Sequence, residues 1–256
     1  MKITRGRAFI PYQNYPAYTL KAIIEYLVSV IPELSISSVT TDTSSKYEVT
    51  LAYNGILFTI NNESSNYVNI KFGSKVYTNS YNTIVLGGNN IVAYAYTDSG
   101  ALSFQFGRQN SSYAAGVELA PIDLTLSDGS VKTLYSVHGY VLSSGPENVV
   151  LSTAQLYFPC TDIMIDPDDQ SQYSINISGE NTSAVSTSKG DAVAVPLVLS
   201  TSYGNVVSYA VKGASPYYVI YPGSTSYLQF KQCGLYTVRI GDSEYLPAYN
   251  HYFIKI

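Results

Sequence analysis

Residues 16–31, PAYTLKAIIEYLVSVI, are the one stretch whose apolar side chains recur at helical spacing, and the rest of the chain alternates with a period of two or lacks a period. Leu20, Ile23, Ile24, Leu27, Val28 and Ile31 fall on one side of the helix this predicts, and Lys21, Glu25 and Ser29 on the other. Pro16 suits a first helical turn, and Pro32 biases Ile31 away from helical geometry, so both ends are punctuated. Ala22, Tyr26 and Val30 widen the apolar stripe beyond what a surface helix needs. A sheet or a neighbouring subunit must cover it. Lys21 and Glu25 and the short length exclude a membrane span.

Around that helix the residues read as strands. Tyr47, Val49, Leu51 and Tyr53 alternate, Asn54-Gly55 gives a strong hairpin signal, and Ile56, Phe58 and Ile60 answer on the return. Residues 67–72 and 75–77 turn at Gly73-Ser74. Residues 91–97 and 101–106 flank Asp98-Ser-Gly100, with Val92, Tyr94 and Tyr96 expected on the face of Leu102, Phe104 and Phe106. Residues 3–10 read as a short strand, and SISSVTTDTSS, after Pro32, reads as a polar connection. Beyond Arg108-Gln-Asn-Ser-Ser112 come many short strand patterns: 116–119, 122–126, 131–137, 151–158, 163–165, 192–199, 206–211, 217–221, 227–230, 235–240 and 252–256. Residues 178–190 lack periodicity and read as a loop. The expected fold is α+β to mainly β: residues 1–110 form a helix packed on an antiparallel sheet, and residues 111–256 a β-sandwich-like or barrel-like domain.

Composition limits the partners. Charged residues are 12 % of the 256, hydrophobic ones 46 %, and 26 Tyr stand beside no Trp. A surface so poor in ions must be clothed in hydroxyl and amide groups, which suits contact with protein or sugar. A net charge of −4 gives no basic footprint for nucleic acid or an anionic membrane. The opening MKITRGRAFIPYQNYP lacks the apolar run of a signal peptide, so synthesis in a reducing cytosol is expected, with Cys160 and Cys233 as small buried hydrophobes and no disulfide framework. Asn62, Asn110, Asn176 and Asn181 begin glycosylation-type triplets, read as accidents of an Asn- and Ser-rich chain.

Candidate chemistry is sparse. His138 and His251 are the two histidines, each outside any catalytic pattern, and no Gly-x-Ser-x-Gly elbow is present. Asp162, Asp166, Asp168 and Asp169 cluster in CTDIMIDPDDQSQ. Alternate carboxylates in a loop can ligate a hard cation, which makes Asp162, Asp166 and Asp168 weak metal candidates. The bland alternative is an Asp-Pro turn with its charges in water. Tyr217, Tyr218, Tyr221 and Tyr227 lie close together among Pro216, Pro222 and Gly223, either as a platform for a glycan or as alternating core and rim positions of one hairpin. No cofactor is implied.

The closing stretch GLYTVRIGDSEYLPAYNHYFIKI pairs an apolar strand, a Gly-Asp turn, Glu244-Tyr-Leu-Pro247 and a terminal strand Tyr252-Phe-Ile-Lys-Ile256. With KITRGRAFIPYQNYPAYTLKAIIEYL at the start, it resembles tail- and baseplate-region structural proteins of phages of Gram-positive bacteria and phage tail-like bacteriocins. The resemblance implies a non-enzymatic virion component, made in the host cytoplasm and present in several symmetric copies. It implies homo-oligomeric contacts and contacts with other particle proteins, while the alternative function is a receptor- or glycan-binding module that meets a host surface glycan. No catalytic or ligand residue carries across. Leu20, Ile23 and Leu27 of the helix and Tyr252 and Phe253 of the terminal strand are the expected contact residues, the strand by pairing with another chain's sheet edge.

Overall fold

The helix α1 spans Pro16–Val30 in a computed structural model that describes residues 4–62, 66–78, 85–87, 91–98, 100–108, 114–142, 163–179, 193–204, 206–211, 218–221, 238–240, 242–247 and 252–255. Pro16 occupies the first turn, where its missing N–H costs nothing, and the Thr19 hydroxyl accepts the Gln13 N–H at 3.0 Å while donating to the Tyr15 carbonyl at 3.0 Å. Ile31 leaves the helix in an extended conformation, its N–H donating to the Leu27 carbonyl at 3.0 Å. Ala17, Leu20, Ile23, Ile24 and Leu27 are wholly buried in the chain's own core. The stripe is therefore spent inside the protomer, which removes Leu20, Ile23 and Leu27 as residues that meet another subunit.

The protein is mostly β, with two antiparallel sheets and this one short helix among the described residues. The smaller sheet has the order β2-β3-β4-β5-β6, from β2 (Leu34–Asp42), β3 (Tyr47–Tyr53), β4 (Ile56–Asn61), β5 (Asn69–Phe72) and β6 (Lys75–Tyr77). Asn54 and Gly55 both take positive φ, as the tight turn between β3 and β4 requires. In β3 the inward side chains Tyr47, Val49, Leu51 and Tyr53 are buried and the alternate ones half-buried. The segment expected to be a polar connection is strand β2. Its pairing with β3 slips between Ile36 and Ser38 and again between Val39 and Thr41. Those bulges place Ile36 opposite Leu51 and Val39 opposite Val49, on one face although three residues apart, which hides the strand from a search for strict alternation.

The larger sheet begins β1-β7-β8-β9-β10-β11-β12-β13, from β1 (Thr4–Ile10), β7 (Ile91–Asp98), β8 (Ala101–Arg108), β9 (Ala114–Leu126), β10 (Val131–Leu142), β11 (Ile163–Ile165), β12 (Gln172–Gly179) and β13 (Val193–Thr201). It continues through β15 (Tyr218–Tyr221), β18 (Tyr252–Lys255), β17 (Ser243–Pro247) and β16 (Val238–Ile240), while β14 (Val206–Val211) pairs with β9. Strands β8 and β9 are hydrogen-bonded neighbours, so the sheet is continuous across position 110, where the sequence suggested a boundary. Strand β18 pairs with β15 on one side and β17 on the other. Its backbone partners come from its own chain, so this structure does not leave Tyr252 and Phe253 on a free edge.

The β7–β8 hairpin corrects a facing assignment. Asp98 pairs with Ala101, and the register that follows sets Ala95 opposite Phe104, Ala93 opposite Phe106 and Tyr96 opposite Ser103. Ala93 and Ala95 thus hold the positions on the face of the phenylalanines. The small alanines leave room for the two large rings, and all four of Ala93, Ala95, Phe104 and Phe106 are buried. One buried cluster contains residues of α1, the small sheet and the large sheet together. Phe58 and Phe72 of the small sheet stack at 5.3 Å between centroids, and Phe58 lies 6.1 Å from Phe104 of the large sheet. The Tyr53 hydroxyl donates to the Ala101 carbonyl at 3.1 Å, which joins the sheets by a buried polar bond.

Candidate functional site

The acidic cluster lies in the turn between β11 and β12, against the tips of the two small-sheet hairpins. The turn closes through the Gln170 N–H donating to the Asp166 carbonyl at 2.9 Å, with Gln170 at a φ of 63°. The Gln170 amide nitrogen donates to the Gly55 carbonyl at 2.7 Å, and its amide oxygen accepts the Leu57 N–H at 3.1 Å, so this side chain behaves as an added backbone unit at the β3–β4 tip. Gln172 does the same at the β5–β6 tip, donating to the Phe72 carbonyl at 3.0 Å and accepting from the Ser74 hydroxyl at 3.2 Å. Gly73, at a φ of 54°, is needed there twice over: a Cβ would lie 1.9 Å from the Gln172 amide nitrogen.

Lys132 of β10 completes the arrangement. Its ammonium sits 2.8 Å from Asp166 Oδ2 and 2.7 Å from Asp168 Oδ2, while Asp166 Oδ1 accepts the Asp168 N–H at 3.0 Å and Asp169 Oδ1 the Ser171 N–H at 2.8 Å. Where a cation would need converging oxygens, an ammonium already stands. Among the described residues no group of three or more His, Cys, Asp or Glu is placed to hold a metal. Asp166 and Asp168 are withdrawn as metal candidates on that geometry, and Asp162 lies outside the described residues.

Hydrogen bonds to Asp166 and Asp168 raise the Lys132 pKa above its ordinary value. A raised lysine contributes stability that is complete below its unfolded pKa and is lost as pH rises through the folded one. Lys132→Ala is expected to cost about 1–2 kcal/mol at pH 7, chiefly because the buried Asp166 loses its ion partner while exposed Asp168 contributes little. Urea titrations of both proteins check this, and the gap should close in alkali above a pH of about 10.5. Equal midpoints at pH 7 would show that the clasp is not stabilising.

A second polar constellation crosses the large sheet on the face away from the phenylalanines. Register places Ser103 opposite Glu118 and Glu118 opposite His138. Ser103, Glu118 and His138 are buried, as is Gln105 in the next row. Burial, with Lys75 adding, pushes the His138 imidazole down to about 3, so it is neutral at physiological pH. Its ring meets Tyr77 edge-on at 5.5 Å, and the neighbouring Gly139 lets β6 approach, since a Cβ there would lie 2.7 Å from the Tyr77 ring. Ser103 and His138 are two strands apart, roughly 10 Å, with Glu118 between them. A serine nucleophile needs its base within hydrogen-bond reach, so the order Ser-Glu-His does not assemble a proton relay of the hydrolase kind.

Tyr218 and Tyr221 lie on β15, paired with β13 and β18, and their side chains are outside the described set, as are Tyr217 and Tyr227 altogether. His251, Cys160 and Cys233 also lie outside it. Asn62 is buried, its amide oxygen accepting the Tyr47 N–H at 2.7 Å and its nitrogen donating to the Ser45 carbonyl at 3.1 Å, so it is no glycosylation acceptor in the fold. No described helix is long and apolar enough to cross a membrane. Sequence reasoning missed Gln170, Gln172, Lys132 and Glu118, because each sits in an ordinary polar position of a strand or turn and gains a role through a contact distant along the chain.

The site and fold together define a mainly-β protein with a clasped pair of sheets. No protein-family model matches the chain, and no curated protein or solved structure matches it either.

Proposed function

We propose that this is a non-enzymatic structural protein of a phage tail, baseplate or tail-like particle, acting through oligomeric assembly and protein–protein contact. The observation that carries the reading is an uncharged, exposed edge: from Ser35 to Thr40 every residue of β2 is exposed, and the strand offers hydroxyls and two aliphatic side chains instead of ions. Covering such a surface incurs little ion desolvation cost. The resemblance of both chain ends to tail-region proteins supports it, and the Lys132, Asp166 and Asp168 side chains are engaged in holding the β11–β12 turn. In the same reading the helix and small sheet form one layer, and the large sheet, which runs across position 110, completes a sandwich-like body. The protein would be made in the host cytoplasm and reside in the particle.

Light scattering on the purified chain over a wide concentration range tests this. A ring, trimer or concentration-dependent oligomer is expected. A monomer at the highest concentration, with no affinity for other particle proteins, removes the proposal.

A second reading is favoured by one specific feature. Tyr15 and Tyr18 are 50 % and 42 % exposed, their rings 5.5 Å apart and nearly perpendicular, at the start of α1. Exposed tyrosines held in place suit a sugar face, so a glycan-binding module on the particle surface is the alternative. Retention on host cell walls that falls on Tyr15→Ala and Tyr18→Ala would favour it, whereas no retention by the assembled protein would dismiss it.

A further inference from the structure

We propose that β2 is the strand through which a second copy of this chain adds, by antiparallel pairing of two β2 edges about a two-fold axis between Ser37 and Ser38. It rests on the reading of the protein as an assembling component and names the surface and the partner. Strand β2 is hydrogen-bonded to β3 on one side and, among the described residues, stands at the end of the five-stranded sheet, so its other side presents backbone N–H and C=O groups. Interior strand residues are ordinarily buried on alternate positions. Here Ser35 to Thr40 are all exposed, so the described residues bury neither face of that run.

Proteins usually guard such an edge with Lys, with Pro, or by making it very short. The opposite edge of the sheet follows that rule: β6 has 3 residues and carries Lys75. Strand β2 has 9 residues and no charge or proline from Leu34 to Thr41, and Asp42 at its end is neutralised by Lys21 at 2.6 Å. Its bulges are a guard of another kind, and they also aim its side chains. Because of them Ile36 and Val39, 40 % and 46 % exposed, point to one face. A partner must be an extended, uncharged strand that offers aliphatic groups at matching positions, and β2 itself is one. About the stated axis Ile36 faces the partner's Val39, and Val39 faces the partner's Ile36. Beyond Val39 the second bulge shifts this register, so it is not carried on to Asp42. Twisting by the bulges shortens the run that can pair, so the association is reversible and depends on concentration.

Sedimentation and amide hydrogen exchange on the full chain test it. The wild type is expected to dimerise, with exchange at residues 35–41 slowing as the dimer forms. Val39→Lys, an exposed position whose change leaves the fold intact by circular dichroism, should raise the dimerisation midpoint by at least about tenfold, equivalent to about 1.4 kcal/mol. An oligomer that ignores Val39→Lys and leaves exchange in β2 unchanged overturns this interface while assembly survives. Slowing that appears only when other particle proteins are added overturns the second copy in favour of a foreign strand. A monomer at every concentration, with no slowing and no affinity for other particle proteins, removes the interface and the assembly reading together.

Discussion

Phe104→Ala is expected to remove about 3–5 kcal/mol of folding stability. Phe104 is wholly buried in β8, lies beside Phe58 of the small sheet, and has Ala95 and Val117 as its cross-strand neighbours. The lost ring cannot be replaced from Ala95, whose side chain is a single methyl, so a cavity would remain where the two sheets meet. Against a total of about 5–15 kcal/mol for an ordinary domain this is a large fraction. Urea unfolding followed by far-ultraviolet circular dichroism measures it, with Val131→Ala, at a side chain 62 % exposed, as the neutral comparison. A loss below about 1 kcal/mol would mean that the Phe58-Phe72-Phe104 cluster does not join the sheets.

Acidification should produce the next largest effect, and His138 is its source. The folded-state pKa is depressed to about 3 from an ordinary 6.5, so the unfolded chain binds a proton that the native protein refuses. Stability contributed by the neutral buried imidazole is complete above the unfolded pKa and is lost progressively as pH falls from about 6.5 toward about 3. Between pH 7 and pH 4.5 the loss from this group comes to about 2–3 kcal/mol. The charged and titratable groups described around it are Lys75, which adds to the depression, Tyr77, whose ring meets it edge-on, and Glu118, which faces it from β9. His138→Gln keeps the polarity and cannot titrate. Its stability should fall less steeply with acid than that of the wild type, other groups being common to both, and parallel curves would show that His138 is not the acid-labile element.

Legibility of the fold followed the kind of signal each segment carries. The helix and the β3–β4 hairpin depend on spacing and on a local turn, and both lie where Leu20 to Leu27 and Asn54-Gly55 place them. Strand β2 was hidden because two bulges destroy the alternation that marks a strand. In the β7–β8 hairpin the strands were legible and their facing was not, since the pairing of Asp98 with Ala101 sets a parity that composition does not reveal. Tyr94 and Tyr96 look like core residues beside an apolar Phe104. The register gives that place to Ala93 and Ala95 instead.

The candidate site was legible only as a cluster of acids. That Asp166 and Asp168 share an ammonium is a fact about Lys132, which is 36 positions from Asp168, and the Gln170 contact with Leu57 spans 113. Such contacts depend on which hairpin tips a turn meets. No local pattern encodes that.

What the sequence alone determined is everything set by neighbours a few residues apart: one helix bounded by Pro16 and Pro32, strands with Gly turns between them, and a composition poor in charge. Tertiary structure decided where that material is spent. It turned the apolar stripe of the helix inward, buried Glu118 and His138 on one face of the large sheet, and left Ser35 to Thr40 of β2 exposed. The physical reason is that helical and strand periods are properties of the backbone, whereas burial and pairing depend on sheet register, and a shift of one residue exchanges one face for the other.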